Sequence, residues 1–127
     1  MKIVFDTYAW IEYFKGSDTG AKVKNILESQ ENDIFTSVIS IAELASILKR
    51  DSLDIDNCYN IVMHSSKLYF ITPEFAKEAG TLHGEMKKKI KDFGMIDSII
   101  LLTARKLGAK ILTGDPHFKG FKEAVLI

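Results

Sequence analysis

Four carboxylates, Asp6, Glu43, Asp97 and Asp115, stand far apart in a chain of 127 residues, yet each adjoins a segment that reads as a strand end or a helix start. Asp6 directly follows the apolar run Lys2–Phe5, and Asp115 comes three residues after Leu112, which closes the run Lys110–Leu112. In an open parallel sheet, ligands bind at the carboxyl ends of the strands. A helix leaving such a strand begins at that edge, which brings in Glu43, in the first turn expected after Ile34–Val38. A helix feeding a parallel strand begins there too, which brings in Asp97, at the head of the stretch before Lys110–Leu112. Carboxylates gathered on one rim repel one another, and some take up protons unless a cation sits between them. All-oxygen ligands favour hard ions such as Mg²⁺ or Mn²⁺, and no Cys or His cluster has zinc spacing. One or two such ions can activate a water and steady the charge developing on a phosphoryl group. Metal-assisted phosphodiester hydrolysis is the chemistry this pattern suits.

Each acid also has a purely local reading. Asp6 and Asp97 sit where helix N-caps belong. Glu43 completes Ser40-Ile-Ala-Glu43, a capping box, and Asp115 lies in the ordinary turn sequence Gly-Asp-Pro. Taken singly, capping is the default for every one of them. Four independent caps and turns, however, have no reason to face the same edge.

The elements that must position these acids alternate, short apolar runs with longer stretches of helical period, the pattern of an α/β fold with a mainly parallel sheet. Strands are expected at Lys2–Phe5, Ile34–Val38, Leu68–Ile71, Lys110–Leu112 and Val125–Ile127. Helices are expected from about Tyr8 to Lys15 with Gly16 as C-cap, at Ala21–Gln30, and at Ser40–Arg50. Further helices are expected from a cap at Asp54 to about Lys67, and from Thr72-Pro73 to about Ile90 despite Gly80 and Gly84. The last runs from a cap at Asp97 to Leu107, stopped by Gly108.

Length and composition agree with one domain, residues 1–127, large enough to bury a core without disulfides. The single cysteine, Cys58, cannot form an internal bridge, which fits a cytoplasmic protein. No run approaches a membrane span, and MKIVFD lacks the apolar core of a signal peptide. Seventeen basic and 17 acidic residues cancel, which argues against a generic nucleic-acid binder. The cancellation is uneven: residues 1–63 carry six basic and ten acidic groups, and residues 64–127 carry eleven and seven. Setting aside the four rim acids leaves 17 basic against 13 acidic groups, a mildly basic protein once a metal neutralises the site.

With these pieces assembled, the chain resembles a PIN-domain ribonuclease, most closely the VapC-type toxins of toxin–antitoxin pairs. The resemblance rests on Asp6-Thr7 after the first strand, Glu43 within SVISIAELASIL, Asp97 in DSIILLTARKLG, and the segment Thr113-Gly114-Asp115-Pro116-His117-Phe118. It implies a three-layer α/β/α fold with four or five mainly parallel strands, and a Mg²⁺- or Mn²⁺-dependent endonuclease acting on RNA. Carried over by position, Asp6, Glu43, Asp97 and Asp115 become the acidic quartet, with Asp6 and Asp97 as direct ligands and the other two holding metal-bound waters. Thr113 matches the family's supporting hydroxyl. A homodimer and a cognate antitoxin are the implied partners, and no membrane is involved.

Other residues divide between surface, packing and substrate. Lys87, Lys88, Lys89 and Lys91 form the densest basic patch; they suit the negative end of a helix dipole or, near Asp97, RNA phosphates. Arg105 and Lys106 read as surface charges, His64 and His83 as surface or boundary residues, and His117 as a packing or bonding residue rather than an acid–base catalyst. The segment Tyr8–Phe14 is unusually aromatic; Trp10 and Phe14 should share a buried face, and the remainder could meet a partner. A phosphoacceptor receiver domain shares the length and sheet, but the acidic pair it needs after the first strand is Asp6-Thr7 here, and no strand-end Lys is present. A PIN domain used only for binding and a PIN nuclease of RNA processing both share the fold with a toxin. The complete quartet argues against the first, and the gene beside this one would separate the second from a toxin.

Overall fold

The computed structural model describes residues 1–127. Five strands, β1 (Lys2–Phe5), β2 (Asp33–Ser37), β3 (Lys67–Tyr69), β4 (Lys110–Thr113) and β5 (Ala124–Leu126), form one sheet in the order β3-β2-β1-β4-β5. Every neighbouring pair is parallel, so the sheet is wholly rather than mainly parallel. The chain builds outward from β1 through β2 to β3, then returns to the other side of β1 for β4 and β5. That reversal puts a topological switch point between β1 and β4, where the carboxyl ends of the strands open a crevice.

Alternation along β1 divides the core. Ile3 and Phe5 face a cluster with Trp10, Val23, Leu44, Leu48 and Val62, while Val4 faces Ile100, Leu101, Ala104, Ile111 and Phe118 on the opposite side. The first cluster is roofed by α1 (Thr7–Lys15), α2 (Asp18–Glu28), α3 (Val38–Arg50) and α4 (Ile55–Ser65), and the second by α6 (Met95–Leu107). Helix α5 (Pro73–Lys87) packs on α6 through Phe75, Ala79 and Leu102. The result is three layers, α/β/α. No helix is long and apolar enough to cross a membrane.

The expected elements are all present, with shifted ends. Helix α2 starts at Asp18 because Ser17 caps it, accepting from the Gly20 amide at 2.9 Å. A Cβ at Gly20 would overlap the Glu12 carbonyl, so glycine here permits the close approach of α1 and α2. Helix α4 ends at Ser65, and Lys67 already belongs to β3, paired with Phe35. Helix α5 stops at Lys87 instead of Ile90, although Gly80 and Gly84 lie within it.

Two corrections bear on the acids. Helix α3 begins at Val38, capped by Ser37, so Ser40 lies inside the helix with its hydroxyl buried and without a hydrogen-bond partner. The Ser40–Glu43 capping box therefore does not form, and Glu43 sits in the second turn. Helix α6 begins at Met95 after an extended Gly94, so Asp97 is its third residue rather than its cap. Its carboxylate still reaches back, accepting from the Gly94 amide at 2.9 Å.

Candidate active site

The four acids line one cavity of about 540 Å³ at the carboxyl edge of the sheet. Asp6 enters from the end of β1, Asp115 from the turn after β4, Glu43 from α3 and Asp97 from the first turn of α6. Capping and convergence turn out to be compatible. Asp6 Oδ1 accepts from the Ala9 amide at 3.0 Å, and Asp115 Oδ1 accepts from the His117 amide at 2.9 Å. Each bond engages one oxygen and orients the carboxylate.

Glu43 is held differently. The buried Thr7 hydroxyl donates to Glu43 Oε1 at 2.7 Å, a bond spanning 36 residues. Thr113, at the end of β4, is buried close to Asp6, and its hydroxyl accepts from the Asp115 amide at 3.0 Å. One hydroxyl thus fixes the backbone turn that carries Asp115 beside Asp6.

The electrostatics register the crowding. Burial pushes the Asp6 carboxyl up to about 7; the Thr113 and Ala9 hydrogen bonds oppose the rise, and Asp115 and Glu43 add to it. Burial also raises Asp97, opposed by the Gly94 hydrogen bond, with the Asp115 charge adding and His117 subtracting. Groups that resist ionisation because they are dehydrated and surrounded by like charge are those a cation would relieve.

The tightest grouping of possible ligand atoms is Asp97, Asp115 and His117, all within 4.8 Å of one another. Asp6 is not among the three. His117 Nδ1 lies 3.1 Å from Asp115 Oδ1 and 3.4 Å from Asp97 Oδ2, though neither approach has hydrogen-bond geometry. Carboxylate oxygens such as those of Asp97 and Asp115 suit hard divalent ions. The residues present fit a divalent cation.

Residues 3–124 match the family model described as PIN domain. The chain belongs to the PIN domain family. Among solved structures, this PIN chain is similar to a toxin–antitoxin complex from Klebsiella pneumoniae (21% identity, TM-score 0.70, covering 97% of this chain and 95% of that one). It is also similar to Mycobacterium tuberculosis VapC20, a sarcin–ricin loop cleaving toxin (18% identity, TM-score 0.73, 95% and 97% covered). A third is VapBC2 from Rickettsia felis bound to a DNA fragment from its promoter (19% identity, TM-score 0.73, 100% and 98% covered). At these identities the likeness establishes the PIN fold. No curated protein matches the sequence.

The cavity also brings in residues whose place in it the sequence did not reveal. Thr7 stands in the Asp6-Thr7 pair, but its bond to Glu43 depends on bringing α1 against α3. Tyr8, Ile11 and Lys15 line the cavity from α1; their i, i+3, i+7 spacing was the available signal. Lys87, Lys88, Lys89 and Lys91 are exposed at the end of α5 and in the connection to α6, and none lines the cavity. Lys88 lies 3.9 Å from Glu85. His83, half-buried, meets the Phe93 carbonyl at 3.1 Å and so braces that same connection.

Proposed function

We propose that this PIN domain, residues 1–127, is a Mg²⁺- or Mn²⁺-dependent endoribonuclease and the toxin of a VapBC-type toxin–antitoxin pair. The observation that carries the reading is the convergence of Asp6, Glu43, Asp97 and Asp115 on one cavity, with two of them raised by burial and mutual repulsion. Those four would hold the ion, and His117 is close enough to Asp97 and Asp115 to join or replace one of them. When bound, a divalent ion supplies a water of lowered pKa and charge stabilisation at the phosphoryl oxygens.

The protein's own contribution is preorganisation. The Gly94 amide and the Thr7 hydroxyl fix Asp97 and Glu43 before substrate arrives, the Ala9 amide orients Asp6, and the Thr113 hydroxyl holds the turn that carries Asp115. Ile11, Ile47, Ile96 and Ile100 supply apolar wall beside the acids, which lowers the local dielectric and strengthens the interaction of the carboxylates with a cation. Lys87, Lys88, Lys89 and Lys91 lie on the approach to α6, where they would meet RNA phosphates.

An antitoxin partner is supported by the Klebsiella and Rickettsia neighbours, which are toxin–antitoxin assemblies. A homodimer and a cytoplasmic setting complete the proposal.

The chemistry is tested by the ends of the cut RNA. Attack by water in line with the departing 3′-oxygen leaves 5′-phosphate and 3′-hydroxyl termini, because the substrate's 2′-hydroxyl is not the nucleophile. Mass spectrometry of the products should show these termini alone. Cyclic 2′,3′-phosphates would contradict the mechanism.

A further inference from the structure

The cavity continues past the acids along one face of α1. Tyr8, Ile11 and Lys15 line it at i, i+3 and i+7, a stripe about 10 Å long that starts two residues from Asp6. Of the aromatic residues on α1, Trp10 is fully buried and Tyr13 and Phe14 pack partly against the core, whereas Tyr8 is 40% exposed. The Tyr8 ring lies against Gly114: a Cβ there would overlap its Cδ1, Cε1 and Cζ atoms. Glycine beside Asp115 therefore makes room for an aromatic ring at the mouth of the acidic cavity. Lys15 is exposed, and it is not among the lysines held in ion pairs.

We propose that this face of α1 is a nucleotide track, in which Tyr8 stacks on the base beside the bond to be cut and Lys15 takes a phosphate farther along the strand. An aromatic face accepts an unstacked base of single-stranded RNA, and a free ammonium group at the far end suits the backbone. Ile11 between them is buried in the core and forms the apolar floor of the track. The inference rests on the nuclease reading and adds residues to it that lie outside the acidic quartet.

Steady-state cleavage of a short single-stranded RNA with Mn²⁺ tests it. Tyr8→Ala should raise KM about tenfold or more with a smaller change in kcat, and Tyr8→Phe, which keeps the ring, should stay within about twofold of the wild type. RNA lacking the base at the stacked position should be cleaved by the wild type with a similarly raised KM. Lys15→Ala should flatten the dependence of log KM on log salt by about 0.7, one phosphate contact on a single strand. Wild-type cleavage with KM unchanged by both Tyr8→Ala and the abasic RNA would overturn the track and leave the nuclease standing. Should Tyr8→Ala fail to fold, the abasic RNA decides the question on the wild type alone. No cleavage by the wild type would overturn both readings.

Discussion

Asp97→Asn should lower the rate of RNA cleavage by about 10³-fold while leaving the fold intact. An uncharged amide in place of a carboxylate weakens the hold on a divalent cation, and a loss of about 4 kcal/mol in transition-state stabilisation is three decades in rate. The fold should tolerate the change because Asn keeps an oxygen that can accept from the Gly94 amide, now 2.9 Å from Asp97 Oδ2. Removing a carboxyl that burial already holds above its ordinary range adds nothing unfavourable. Thermal unfolding should therefore occur within a few degrees of the wild type. Unchanged cleavage by a folded variant would remove Asp97 from the catalytic set.

Asp6→Asn should make the metal-free protein more stable above neutral pH. The Asp6 carboxyl ionises near 3.8 in the unfolded chain and at about 7 in the fold. Between those values the folded state holds the proton more firmly, so the associated stability is complete below about pH 4 and is lost as pH rises through 7. By pH 8 the loss reaches about 4 kcal/mol, the free-energy equivalent of that shift. Asparagine cannot ionise and is an equally good N-cap for α1. The variant should melt on the order of 10 °C higher than the wild type at pH 8, with little difference at pH 4. Mn²⁺ should narrow the gap at pH 8 by stabilising the wild type more than the variant, since a ligand that binds only the fold stabilises it. Equal melting of the two proteins at pH 8 without metal would mean that Asp6 ionises there at no cost.

How far the sequence could be read depended on the kind of signal. β1 and β4 are apolar runs terminated by Asp6 and by the Gly114-Asp115 turn, so the parallel sheet and its acidic rim are legible in the sequence. The errors fell at the caps of helices, three residues from where the sequence put them. The helix expected from Ser40 starts at Val38, because the pairing of β2 with β3 ends at Ser37 and the Ser37 hydroxyl accepts from the Ile39 amide. At α6 the cap expected at Asp97 falls at Gly94 instead, and the Asp97 carboxylate reaches back to it from the third helical position.

Partnerships across the fold were not legible in the same way. Nothing local links Thr7 to Glu43; the bond exists because α1 and α3 lie side by side on one face of the sheet. His117 reads from sequence as a bonding residue, and its place beside two carboxylates follows from the turn Asp115–Phe118 folding back towards α6. Tyr8 looks like one more packing aromatic because helical period alone does not reveal that Gly114 leaves room for its ring.

Four converging acids make this chain a metal-dependent ribonuclease only if cleavage follows the ion. Incubation of the purified chain with RNA, in Mn²⁺ or Mg²⁺ and again with excess EDTA, tests that most directly. Cleavage with either ion, abolished by EDTA and restored when the ion is resupplied, is the predicted result. Cleavage that persists in EDTA, or none with either ion, would contradict it.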